Sequence, residues 1–149
     1  MATLTEKIRA DLTESMKAKD SARTSTLRML QSALKYEQIE KGRELSDDEA
    51  IAIIQRGVKQ RQDSIEQYTS GNRPELAEKE RSELEMLKKY LPEQLSEEES
   101  EAIVRDAIAA TGAESKKDSG KVMKEVMAKH KGRIDGRKVQ EIVGRLLPG

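Results

Sequence analysis

Leu4, Ile8, Leu12 and Met16 recur every four residues at the start of the chain, the spacing of one buried stripe on a helix. Thr3-Leu4-Thr5-Glu6 fits a capping box ahead of that stripe. Lys19-Asp20-Ser21 breaks the pattern, and Asp20 suits the cap of a second helix. Leu27, Leu30 and Leu34 mark its inner face, with Met29 and Ala33 beside them, and it should stop near Gly42. Ser46-Asp47-Asp48-Glu49 is another capping box and opens a long helix through Ile51, Ile54, Val58, Ile65 and Tyr68. Ser70-Gly71-Asn72 ends it. Arg73-Pro74 starts a fourth helix carrying Leu76, Leu84, Leu87 and Leu91, with Pro92 as terminator.

Ser96-Glu97-Glu98-Glu99 is a third capping box, followed by Ile103, Ala107 and Ile108 up to Gly112. Two shorter helices are expected near residues 119–129 and 135–147, joined by the turn Lys131-Gly132-Arg133-Ile134-Asp135-Gly136. The periodicity therefore predicts an all-α protein. Residues 1–94 form an N-terminal antiparallel helical bundle, and residues 95–149 a smaller three-helix C-terminal subdomain.

Composition agrees with narrow bundles. Hydrophobic residues make up 35% and charged residues 38%, which suits helices that each bury only a stripe. Phe, Trp and Cys are absent, so aliphatic side chains and Met must fill the core. Lack of Cys removes disulfides, thiolate nucleophiles and thiolate metal sites. The start Met1-Ala2-Thr3-Leu4-Thr5-Glu6 has neither the basic nor the apolar region of a signal peptide, and no apolar run suits a membrane span. The expected location is the cytoplasm, with no membrane partner.

Charge is balanced at 28 basic and 28 acidic residues, but not evenly spread. From Thr111 onward ten Lys and Arg face five Asp and Glu, leaving +5 there and −5 in the rest. Lys116, Lys117, Lys121, Lys124, Lys129, Lys131, Arg133, Arg137 and Lys138 are the candidate RNA-binding residues. They fall at two expected helix starts and one turn, where backbone N–H groups favour phosphate. Gly132 and Gly136 are expected to let a phosphate backbone come close. Stacking aromatics are missing from this segment, so recognition of a folded RNA by backbone and shape fits better than reading single-stranded bases. A solvated helix surface explains the same charges equally well on spacing alone.

Other motifs carry less. The acidic clusters at residues 47–49 and 97–99 oppose helix dipoles, as capping carboxylates do. Gly120-Lys121 lacks the upstream Gly and following Ser or Thr of a phosphate-binding loop. His130, the sole histidine, sits between Lys129 and Lys131 and reads as solvated or phosphate-touching. Val122, Met123, Val126 and Met127 should pack inward; an exposed groove for a partner helix is the second reading. No catalytic residue, metal set or cofactor pattern is expected.

A resemblance narrows this further. Lys19-Asp20, Thr26-Leu27-Arg28, Lys59-Gln60-Arg61, Arg73-Pro74-Glu75-Leu76-Ala77-Glu78-Lys79-Glu80, Glu83-Leu84-Glu85 and Tyr90-Leu91-Pro92 resemble the YqeY family. So does the tail Gly120-Lys121-Val122-Met123-Lys124-Glu125-Val126-Met127, through Lys131-Gly132-Arg133 and Asp135-Gly136. Ser119 and Ala128 depart from that pattern. The resemblance extends to the tail domain of GatB, a subunit of the glutamine-dependent tRNA amidotransferase, where the tail contacts tRNA and the chemistry happens elsewhere. It implies a helical bundle followed by a smaller helical subdomain. It also implies a non-catalytic accessory protein binding tRNA or another structured RNA, linked to transamidation, with a protein partner in tRNA metabolism. A family-level label of carbon–nitrogen ligase with glutamine as amido-N-donor would follow by descent. The alternative is a helical protein-interaction module with no RNA role.

Overall fold

The computed structural model describes residues 3–149; Met1 and Ala2, the first two residues of the stretch expected to lack a signal peptide, lie outside them. Among the described residues there are seven α-helices, one 3-10 turn and no strand. The helices are α1 (Leu4–Lys17), α2 (Ser21–Lys41), α3 (Asp47–Ser70), α4 (Pro74–Lys88), α5 (Glu97–Thr111), α6 (Ser119–His130) and α7 (Gly136–Leu146), with the 3-10 turn at Lys116–Asp118. The chain divides into two compact units, Met1–Leu91 and Pro92–Gly149.

Caps set most of the boundaries. Thr3 Oγ1 accepts the Glu6 N–H at 3.2 Å, and Asp20 accepts that of Arg23 at 3.2 Å. Ser46 and Ser96 form reciprocal boxes with Glu49 and Glu99. Gly42 and Gly112 close α2 and α5 in the left-handed region, each at φ 69°. One boundary differs from the expectation. α4 ends at Lys88, so Leu91 lies outside it. Pro92 disfavours helical backbone at the residue before it, and the Tyr90 and Leu91 N–H groups turn to the Leu87 and Lys88 carbonyls three residues back.

In the first unit, Ile8, Leu27, Leu34, Ile54 and Leu87 sit at the centre of one aliphatic core. Gly57 of α3 stands where a Cβ would approach Leu87 Cδ1 to 3.3 Å, so the missing side chain helps α3 and α4 close on each other. Arg61 of α3 is nine-tenths buried beside Glu83 of α4, its Nε 3.5 Å from the carboxylate but without hydrogen-bond geometry. The α1–α2 turn buries Ser15, whose Oγ donates to the Leu12 carbonyl at 2.8 Å and shares a 2.8 Å hydrogen bond with Thr24 Oγ1.

Tyr90 ties the end of this unit to its beginning. Its hydroxyl donates to Asp11 Oδ2 at 2.6 Å, and burial together with that carboxylate pushes its pKa up. Arg23 lies 3.9 Å from the same carboxylate, and Lys7 Nζ sits 5.9 Å from the Tyr90 ring centre. Tyr90→Phe should therefore cost about 1–2 kcal/mol, the value of one hydrogen bond to a charged group in a half-buried setting. Urea unfolding reads this directly; a midpoint unmoved by the substitution would show that the clasp contributes nothing.

Glu49 concentrates the surface electrostatics. Arg43 donates to it through two nitrogens at 2.8 and 2.9 Å, the Ser46 N–H at 2.9 Å, and Lys41 Nζ lies 3.1 Å away. The Arg43 hydrogen bonds, followed by those from Ser46 and Lys41, hold its pKa far below the ordinary 4.5. A depressed folded-state pKa gives stability that is complete above the unfolded value and lost as pH falls through the folded one. Acid should therefore lower the melting temperature between about pH 5 and pH 2, and Glu49→Gln should flatten that fall. An identical pH profile in the variant would remove Glu49 from the account.

Candidate functional site

The second unit is built around Val104, Val122, Val126, Val139, Ile142 and Val143, from α5, α6 and α7. Residues 92–95 belong to it because they are strapped to the α6–α7 turn. Gln94 Nε2 donates to the Gly132 carbonyl at 2.7 Å, the Leu95 N–H to the Arg133 carbonyl at 3.0 Å, and Arg133 Nε to the Glu93 carbonyl at 3.1 Å. Those bonds move the division of the chain three residues ahead of the expected one.

The nine basic candidates separate into two sets. Lys138 is held by Glu97 and lies 3.8 Å from Glu141. Contact with the Glu97 carboxylate, joined by the Glu141 charge, raises its pKa. Lys129 pairs with Glu125 at 2.8 Å, which raises its pKa in the same way. Lys121 lies 3.8 Å from Asp118, and Arg133 is tied to the residue 92–95 strap. Arg137 is exposed at the start of α7, with a partner of its own. Lys116, Lys117, Lys124 and Lys131 are exposed and make no ion pair among the described residues. The first two stand on the 3-10 turn, which the sequence pattern did not reveal, and Lys131 is the C-cap of α6. Lys121 and Lys124, three residues apart, share one face of α6.

Three expectations change with the geometry. Over residues 92–149 eleven Lys and Arg meet eleven Asp and Glu, because this unit includes the acidic start of α5. The basic excess thus belongs to residues 111–149 and not to the unit as a whole. The start of α7 is not vacant for phosphate: Asp135 caps it through the Arg137 N–H at 2.9 Å. Asp118 precedes α6 without a side-chain bond to its N–H groups, accepting instead the Glu114 N–H at 2.9 Å, a bond that lowers its pKa. Nor do the two glycines open the surface. Gly132 is buried at φ 83°, a left-handed turn that an L side chain disfavours. A Cβ on Gly136 would point at Met123 Sδ, 3.7 Å away. Gly132 thus serves the turn, while the Gly136 contact is an ordinary van der Waals distance.

Val122 and Val126 are fully buried, while Met123 and Met127 are half-buried against the same core, so the Met-rich face of α6 packs inward. His130 is half-buried, and its carbonyl accepts the Arg133 N–H at 3.0 Å. Among the described residues no three His, Cys, Asp or Glu side chains group as metal ligands, and no helix is long and apolar enough to cross a membrane.

The pattern of the YqeY-like protein family matches residues 5–147, spanning both units. The chain belongs to the YqeY-like protein family. It is 31% identical to a Pyrenophora tritici-repentis protein named altered inheritance of mitochondria protein 41, mitochondrial, over 93% of this chain and 80% of that one. A Lachancea thermotolerans protein of the same name is 38% identical over 56% of this chain, a match spanning 46% of that protein. An uncharacterised Schizosaccharomyces pombe protein is 33% identical over 60% of this chain and 72% of its own length. These mitochondrial names overturn the expected cytoplasmic location. That expectation rested on the missing signal-peptide pattern at residues 1–6 and on absent apolar runs, and both are equally compatible with a mitochondrial interior.

Proposed function

We propose that this YqeY-like chain is an accessory protein that binds tRNA or another structured RNA through Lys116, Lys117, Lys124 and Lys131, with Lys121 beside them. The observation that carries the reading is that these four exposed lysines lack carboxylate partners, while Lys121, Lys129 and Lys138 each stand near one. An unpaired ammonium group meets phosphate without first giving up an ion pair, and each such contact releases a counterion. Gel-shift titration with bulk tRNA at low salt tests it. The wild-type chain should shift the RNA, and Lys124→Ala with Lys131→Ala should weaken the shift. Absence of any shift, or one unchanged in the double variant, would count against RNA binding here. Arg133→Ala is a poor probe, because it also cuts the bond to the Glu93 carbonyl. A link to amide-bond-forming transamidation is part of the same proposal, with this chain supplying RNA binding and a separate enzyme the chemistry.

A further inference from the structure

The first unit carries an apolar stripe that its own core leaves uncovered. Met29, Tyr36 and Ile39 of α2 are 55%, 66% and 69% exposed. With Ser25 and Ser32 they run at spacings of four, three, four and three, the pattern of a coiled-coil seam. This seam lies opposite Leu27, Leu30 and Leu34, which face the core. Beside it, Met29, Ala33 and Tyr36 border a groove of about 270 Å³ whose far wall is Ile53, Arg56 and Gly57 of α3.

The charges around the stripe point to its occupant. Arg28, Lys35 and Arg56 are exposed and make no ion pair among the described residues; Arg28 instead rests on Met16 Sδ at 3.4 Å. Elsewhere in the unit Arg23 stands beside Asp11, Arg43 and Lys41 beside Glu49, and Arg61 beside Glu83. In heptad terms Arg28 and Lys35 occupy g positions, with Ala33 and Glu40 at e. An antiparallel second copy would set the g cations against themselves, and a parallel copy would pair only Lys35 with Glu40. We propose that the outer face of α2 and its groove to α3 dock an amphipathic helix of a partner protein whose apolar stripe is flanked by Asp and Glu. Tyr36 is a lone aromatic between Met and Ile, which favours an apolar helix over stacked bases.

The test titrates the full chain into a fluorescein-labelled helical peptide with Leu at every a and d and Glu at every e and g position, read by anisotropy. The control peptide carries Lys in place of Glu. The Glu peptide should bind at least about tenfold more tightly, as opposite charges across the seam require. Tyr36→Asp should remove at least about tenfold of that affinity while leaving the melting temperature and tRNA binding unchanged. Lys35→Glu with Arg56→Glu should reverse the preference between peptides. Equal affinity for both peptides, or binding indifferent to Tyr36→Asp, would overturn the proposal. So would loss of tRNA binding in Tyr36→Asp, which would make the face an RNA surface. A wild-type dimer that Tyr36→Asp dissociates would assign the stripe to a second copy.

Discussion

Ile142→Ala is expected to destabilise the C-terminal unit by about 2–5 kcal/mol, the range for truncating a fully buried aliphatic side chain. Ile142 has no exposed surface and lies in one cluster with Val104, Val122, Val126, Val139 and Val143. No Phe or Trp is available to collapse into the space left behind. A unit of 58 residues has a small core, so a loss of this size is a large part of its stability. Hydrogen exchange should show the amides of α5, α6 and α7 losing protection together, because all three helices feed that cluster. The RNA binding proposed for this unit should weaken with them, since Lys116, Lys117, Lys124 and Lys131 are carried by its elements. A loss below about 1 kcal/mol, or exchange confined to α7, would show that the three helices do not share one cooperative core.

Replacing Lys116, Lys117, Lys124 and Lys131 together by Ala should leave folding intact and flatten the salt dependence of tRNA binding. Each lysine–phosphate contact contributes about 0.9 to the slope of log affinity against log salt on a duplex, so four contacts account for about 3–4 units. The loss of affinity should be similar for unrelated tRNAs, because phosphate contacts carry no sequence information. Substituting the carboxylate-paired Lys129 should change the slope much less: its ammonium is already held at 2.8 Å by Glu125. Equal effects from the paired and unpaired sets would mean that ion pairing does not select the binding residues. A wild-type slope near zero would remove phosphate contacts from the account altogether.

Much of the helical architecture was legible because its signals are local. Ser46 and Ser96 specify their helix starts through bonds to N–H groups three residues on, so the tetrapeptides Ser46-Asp47-Asp48-Glu49 and Ser96-Glu97-Glu98-Glu99 were sufficient. Gly42 and Gly112 mark their helix ends by a backbone conformation that other residues disfavour. The end of α4 was harder, since the helical spacing of Leu84, Leu87 and Leu91 continues past the point where Pro92 and the Tyr90–Asp11 bond turn the chain. The 3-10 turn at Lys116–Asp118 is shorter than any periodicity can register.

By itself the sequence determined an all-helical chain, its principal caps, most of its aliphatic core positions (Met16, placed on the buried stripe of α1, is exposed, and Ile53 went unmarked), its family resemblance and the set of basic residues from which an RNA surface is proposed. Each of these depends on residue type and on spacings of a few positions. Lys121 and Lys129 meet Asp118 and Glu125 within about one helical turn, but only the tertiary structure decided the long-range pairings. Lys138 meets Glu97 across 41 positions of sequence, and Arg145 lies 3.4 Å from Glu101 across 44. It also decided that Gly132 faces inward and that Met29, Tyr36 and Ile39 face out. A long-range ion pair depends on where distant segments come to rest, and the helical period that placed Leu27, Leu30 and Leu34 inside could not report how far Met29, Tyr36 and Ile39 on the opposite face stay uncovered.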